Sequence, residues 1–263
     1  MDYKTLKLAT DARGVATVTL AREEVFNAFD ECMIEELTRV FAALGTDPEV
    51  RVVVLAAAGK AFSAGADLRW MERTSRNGPQ ENLDDARRFA RMMQAVYECP
   101  KPVIGHVQGA AYGGGVGLCC ACDIVFASSQ SVFSVSEAKF GILPSVIGPY
   151  LVNAVGKRQA LRLALTAQRI DAMHALRIGL VHQVAESGEL DGLIEETVTA
   201  LLLNGPAALG EIKALFGQLE VGEITEQVSE LTAQTIARVR AGAEAREGFA
   251  AFFAKRSPSW AER

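Results

Sequence analysis

Val52-Val53-Val54-Leu55, followed after Ala56 and Ala57 by Ala58-Gly59-Lys60-Ala61-Phe62-Ser63-Ala64-Gly65-Ala66-Asp67-Leu68, is the stretch that decides the fold. Four consecutive bulky apolar residues leave no polar face, the pattern of a strand buried on both sides rather than one half in water. A glycine-containing loop then leaves the strand. About fifty residues later the arrangement returns. Residues 103–107 form a second buried strand, and Gly109-Ala110-Ala111-Tyr112-Gly113-Gly114-Gly115 a second glycine-rich turn, with a helix starting at Gly114. A strand, loop and helix that recur in this way predict an α/β fold.

Outward from these segments, residues 15–20 alternate as a strand with two unlike faces, and Asp30 can cap a helix carrying Ile34, Leu37, Phe41 and Leu44 at helical spacing. The pattern predicts a helix over residues 82–98, stopped by Pro100 and Pro102, and a further strand over residues 180–184. Beyond it the chain reads as helices over 190–203, 206–219, 223–240 and 243–254. The expectation is an α/β core over residues 1–189 and a helical subdomain over 190–263 that covers the core or a neighbouring subunit.

Composition narrows the function. With 49% hydrophobic and 22% charged residues the chain can bury a large core, and its net charge of -5 disfavours tracking a nucleic-acid backbone. The first nine residues carry Asp2, Lys4 and Lys7 and lack the apolar run of a secretory leader, so the expected location is the cytoplasm. The longest uncharged stretch, residues 102–122, holds His106, Gln108 and several glycines, and reads as strand, turn and helix rather than a membrane span. Cys119, Cys120 and Cys122 lack a second pair of ligands at metal spacing and are expected to be reduced, buried thiols.

The glycine loops fail the nucleotide signatures. Gly59-Lys60 is followed by Ala61 and has no glycine at the upstream Walker position, and Leu118 stands where a dinucleotide fingerprint needs its third glycine. What the loops do offer is backbone: without side-chain bulk a ligand atom can approach the N–H groups, and a helix N-terminus at Gly114 adds its positive end. Such donors suit an oxygen that becomes negatively charged.

Taken together and in order, Asn27-Ala28-Phe29, Ala61 through Leu68, Lys101-Pro102-Val103, Gly109 through Gly115, Cys122-Asp123 and Ser136-Glu137 before Gly141-Ile142-Leu143-Pro144 resemble the enoyl-CoA hydratase/isomerase, or crotonase, family over nearly the whole chain. The resemblance implies a spiral core of repeated β-β-α units, an acyl-CoA substrate, no metal or redox cofactor, and trimers or dimers of trimers. It implies that the amides of Ala66 and Gly114 form an oxyanion hole. Ala64 and Leu68, with Gly65, Asp67 and Gly113 beside them, fall to the CoA and acyl walls, and Asn27 and Ala28 to the pantetheine path. Tyr112 lines the acyl pocket or packs against it. Arg69 and Lys139 are candidates to meet an anionic substrate tail.

The same resemblance makes Glu137 the general acid/base. It also exposes a departure, because the position that commonly carries a second glutamate is Gly117, here assigned to the substrate wall. The motif set, with Val116-Gly117-Leu118 and Ser145-Val146-Ile147-Gly148-Pro149-Tyr150, is most similar to bacterial methylglutaconyl-CoA and isohexenylglutaconyl-CoA hydratases of leucine and acyclic terpene breakdown. A single-glutamate double-bond isomerase is the alternative within the family. A non-catalytic acyl-CoA-binding or RNA-binding protein is the alternative outside catalysis.

Overall fold

The chain opens with an antiparallel hairpin of β1 (Leu6–Thr10) and β2 (Val15–Leu20), followed by helix α1 (Glu31–Thr46), whose N-terminus is capped by Asp30 accepting from the Met33 amide at 2.9 Å. This computed structural model describes residues 3–186 and 188–261; Met1 and Asp2, which begin the stretch read for a leader, lie outside them.

Three β-β-α units follow. The first is β3 (Val52–Ala57), β4 (Ala61–Ser63) and the helices α2 (Leu68–Thr74) and α3 (Pro79–Tyr97). The second is β5 (Val103–Val107), β6 (Ala110–Tyr112) and α4 (Gly114–Ala121). The third is β7 (Ile124–Ser128), β8 (Val132–Ser134), a 3-10 turn over Glu137–Phe140 and α5 (Gly148–Thr166). The chain then forms β9 (Ile170–Asp171), α6 (Ala172–Arg177) and β10 (Gln183–Ala185), and continues as α7 (Leu190–Leu202), α8 (Pro206–Phe216), α9 (Glu226–Arg240) and α10 (Ala243–Ala254).

Each unit sends its first strand to one sheet and its second to another. The six-stranded sheet runs β1-β2-β3-β5-β7-β10, parallel from β2 onward, and the four-stranded sheet runs β4-β6-β8-β9. This explains the unbroken apolar run that opened the reading. Val53 and Leu55 pack inward with Phe29, Leu37, Met92 and Leu118, whereas Val52 and Val54 face the opposite way, with Ile104 and Phe126, beneath Leu190, Ile194 and Val198 of α7. Neither face meets water, so neither can be polar.

The strand expected at 180–184 is displaced: β10 starts at Gln183, and Leu180 and Val181 belong to the turn after α6, where their side chains are buried in the core. Their burial comes from the turn, so apolar character alone misplaced the strand. Helices α8 and α9 bury no residue in this chain; α8 is tied to the core by Lys213, which donates to the Lys101 carbonyl at 3.0 Å and to the Asp123 carboxylate at 2.5 Å. Among the described residues no helix is long and apolar enough to cross a membrane. The five thiols are free, and burial pushes Cys120 up to about 12 and Cys122 higher, which favours the protonated, weakly nucleophilic form of both near neutral pH.

Candidate active site

The loop after β4 is held from behind by Asn27. Its side chain is fully buried, donating to the carbonyls of Ala58 and Ala61 at 2.8 and 2.9 Å and accepting from the Arg22 amide at 2.9 Å. Ser63 adds a bond to the Asn27 carbonyl at 2.8 Å. Phe29 then brackets the loop: its N–H donates to Gly65 at 2.7 Å and its carbonyl accepts from Asp67 at 2.8 Å. A pairing of this parallel kind uses the groups on either side of residue 66 and leaves the N–H of Ala66 without an acceptor among the described residues. Gly65 is required here, at φ +89°, because a Cβ would also lie 2.9 Å from the Tyr112 carbonyl.

The second loop arrives from β6. Gly113 donates to the Ser134 carbonyl at 2.9 Å and takes φ +50°, after which α4 begins at Gly114. The Gly114 N–H lies in the first turn, where a helix offers no acceptor, and none is supplied by the rest of the described chain. A Cβ at Gly114 would come within 2.9 Å of Phe89 and 3.1 Å of Phe29, and one at Gly115 within 2.8 Å of the Ser63 carbonyl. The glycines therefore let the two loops press together, so that two open amides, one at the positive end of a helix, share one site.

Glu137 completes it from the third unit, in the 3-10 turn after β8. A Cβ at Gly113 would lie 3.1 Å from its Oε1, which places the carboxyl against the second loop, and its Oε2 is buried with no hydrogen-bond partner among the described residues. Burial raises its pKa, opposed in part by the amides of Glu137 and Ser136. Ala64, Gly65, Ala66, Leu68, Tyr112, Gly113, Gly114 and Glu137 all line one cleft of about 490 Å³. The remaining predicted residues stand behind it. Asn27, Ala28 and Asp67 are buried supports of the first loop rather than cleft wall, and Arg69 is not among the residues that line the cleft.

A cleft with two unaccepted amides and one desolvated carboxyl fits the chemistry of a thioester whose carbonyl oxygen gains charge while a neighbouring carbon exchanges a proton. The family pattern described as enoyl-CoA hydratase/isomerase matches residues 10–263. The chain belongs to the enoyl-CoA hydratase/isomerase family.

Its relatives carry both chemistries in their names. The chain is 37% identical over 201 residues to the short-chain-enoyl-CoA hydratase of Clostridium acetobutylicum, covering 74% of each protein. It is 31% identical to the 1,2-epoxyphenylacetyl-CoA isomerase of Escherichia coli, over 94% of this chain and 95% of that protein. Among solved structures, an enoyl-CoA hydratase from Shewanella pealeana superposes with a TM-score of 0.95 at 40% identity, covering 98% of this chain and 97% of the other.

Within this family member Gly117 does not line the cleft, contrary to the expectation from sequence. It is buried in α4, and a Cβ there would meet Ile147 Cγ2 at 2.4 Å and Met93 Cε at 3.3 Å. Ile147, which does line the cleft, occupies the direction a side chain at 117 would take. Trp70, Phe89, Ile147 and Arg169 also form the wall and were not expected there from the sequence. For Trp70 a signal was available: Asp67 accepts from the amides of Arg69 and Trp70, the N-cap of a helix that could have been drawn from Leu68 onward.

Trp70 is half-buried and its Nε1 lies out of reach of solvent with no acceptor among the described residues. A buried donor left unpaired costs about 1–3 kcal/mol. Trp70→Phe keeps most of the ring and removes that donor, so thermal unfolding should show equal or greater stability than the unsubstituted protein. A loss above about 1 kcal/mol would show that the packing given up by the smaller ring, or a partner of the indole N–H, outweighs the relief of that donor.

Proposed function

We propose that the protein hydrates an α,β-unsaturated acyl-CoA, with Glu137 as its acid/base and the amides of Ala66 and Gly114 as the donors to the thioester oxygen. The observation that carries this reading is the Glu137 carboxyl set against Gly113, its pKa raised by burial, in the same cleft as both open amides. Glu137 in its ionised form takes a proton from water as the water oxygen bonds to the β-carbon. The electron pair of the double bond moves toward the thioester and charges its oxygen, which the two amides stabilise; loss of one such donor costs about 2.7–4 kcal/mol. The carboxylic acid then returns the proton to the α-carbon, regenerating Glu137 and completing the addition of water.

The finer reading is a branched acyl group with a second carboxylate, such as 3-methylglutaconyl-CoA or isohexenylglutaconyl-CoA. It is supported by the cleft wall, where Arg169 lies 5.4 Å over the Tyr112 ring and, like Lys139, has no ion-pair partner among the described residues. Purified protein should remove enoyl absorbance from these two thioesters faster than from crotonyl-CoA. No loss with any of the three rejects hydration. Double-bond isomerisation is favoured by one observation, the filling of the second carboxylate's place by Ile147, and product analysis with a 3-enoyl-CoA separates the two reactions.

We also propose a homotrimer or a dimer of trimers. Its support is the apolar surface of the C-terminal helices, where Phe216, Phe252 and Phe253 are 67%, 76% and 78% exposed, more than an isolated chain would be expected to present to water. Sedimentation equilibrium at a single-chain mass would overturn it.

A further inference from the structure

One guanidinium joins the first loop to the segment that precedes α1. Arg22, with a side chain only 15% exposed, donates through Nη1 to the Ala28 carbonyl at 2.5 Å and through Nη2 to the Asp67 carboxylate at 3.0 Å; the same nitrogen lies 3.0 Å from Asp30. Both acids are helix caps. Asp30 holds the Met33 amide at the start of α1, and Asp67 holds the amides of Arg69 and Trp70 at the start of α2. Arg22 is itself fixed by its backbone, accepting from the Asn27 amide and donating to the Asn27 side chain, each at 2.9 Å.

Ala66 lies inside this frame. The chain passes from Ala28, held by Nη1, through Phe29, which brackets residue 66, to Asp30; on the other side it passes from Ala66 directly to Asp67, held by Nη2. The two bonds of Phe29 fix the height of residue 66, but they are one pair on an isolated bridge, and a peptide plane held by neighbours on one side alone can tilt. The Arg22 fork adds a second constraint, at the Asp67 carboxylate and the Ala28 carbonyl. It is planar, so the angle between its two bonds does not adapt as a lysine's would. The buried Asp67 carboxylate gives this tie its strength: burial opposes the charge, yet the Trp70 and Arg69 amides and Arg22 together hold its pKa below the usual carboxylate value.

We infer that Arg22 is a positioning residue, which sets the direction of the Ala66 N–H by tying Ala28 to Asp67 and so aims that amide at the substrate's thioester oxygen. The inference rests on the oxyanion role proposed above for Ala66. Arg22 touches no substrate on this account; it lies behind the loop and outside the cleft wall. Its effect is therefore on the step in which charge develops and not on the capture of CoA, because a donor misdirected by a fraction of an ångström loses more in the transition state than in the ground state.

The test uses the whole protein with a bound enoyl-CoA and reads two quantities. The first is steady-state kinetics: Arg22→Met is expected to lower kcat roughly 10- to 100-fold with KM within about threefold, and Arg22→Lys, which keeps the charge without the fork, to recover only part of the loss. The second is the thioester carbonyl stretch of the bound ligand by difference infrared spectroscopy. In the unsubstituted protein it should move to lower frequency than in water, and in Arg22→Met much of that shift should disappear.

A folded Arg22→Met variant with unchanged kcat and an unchanged carbonyl shift overturns the inference, as does a loss expressed in KM alone. Should Arg22→Met fail to fold, Asp67→Asn decides: the asparagine oxygen still accepts from the Arg69 and Trp70 amides at the start of α2, its amide nitrogen cannot accept from Arg22, so that bond and ion pair are lost, and the same reduction in carbonyl shift must appear. If the unsubstituted protein shows no carbonyl shift at all, the oxyanion reading fails first and takes the positioning role with it.

Discussion

Glu137→Gln is expected to lower kcat by about 100- to 10,000-fold with little change in the affinity for enoyl-CoA, because the amide cannot take water's proton yet keeps the size of the carboxyl. The pH profile should carry the same signature. The carboxyl must be ionised to accept the proton, and burial holds its pKa above the usual glutamate value, so kcat/KM should fall as pH drops through a point higher than an exposed glutamate would give. Stability should move the other way. The folded protein takes up this proton more readily than the unfolded chain, so the ionised group destabilises the fold above the raised pKa, and this penalty is gone below the unfolded pKa. Glu137→Gln should therefore melt at a higher temperature than the unsubstituted protein at pH 8, with the difference closing near pH 4. A variant that melts as expected but retains full activity would leave Glu137 as a strained bystander and remove the proposed chemistry.

How far the sequence reveals these features depends on whether they are local. The β3 and β5 runs could be read because a strand buried on both faces writes its environment into consecutive residues. The third unit lacks that clarity: no glycine-rich loop follows β8, and α5 contains Gly156 at φ 72° and ψ 154°, a break that disrupts helical periodicity. For this reason two repeats were visible and three exist. Within the site, Ala66, Gly114 and Glu137 follow from motifs that lie whole within short segments. Trp70, Phe89, Ile147 and Arg169 come from four separate elements or turns and are neighbours only after folding, so no spacing rule unites them. Asn27, Ala28 and Asp67 show a subtler limit. Their residue types point to the substrate wall, whereas the structure places them behind the cleft, where they support its first loop from within.

Gly117 is where local reading and packing disagree, and it allows the largest stability effect to be stated. Gly117→Glu restores the residue type common at this position in hydratases of the family, and a comparison of sequences alone would expect a second catalytic carboxylate. The geometry opposes it: the new Cβ would stand 2.4 Å from Ile147 Cγ2 and 3.0 Å from Ile147 Cβ, and Ile147 is 2% exposed and branched at the atom that would have to yield. Overpacking of this kind costs about 1–3 kcal/mol, and pressing a carboxylate into apolar surroundings adds at least as much, for a total of roughly 3 kcal/mol or more. The midpoint of thermal unfolding should drop by roughly 6–12 °C, with no gain in hydration. Ile147→Ala alone removes buried methyl groups and should cost about 2–4 kcal/mol. In Gly117→Glu/Ile147→Ala, however, the glutamate enters the space that the isoleucine leaves, so the double variant should be more stable than the sum of the two single effects by at least about 1 kcal/mol. Simple additivity, or a Gly117→Glu protein that melts normally and hydrates faster, would show that Ile147 yields to an incoming side chain. If the coupling appears as expected, the absence of a second carboxylate belongs to a packed pair, 117 with 147, and the burden on Glu137 follows from how α4 and the start of α5 fit together.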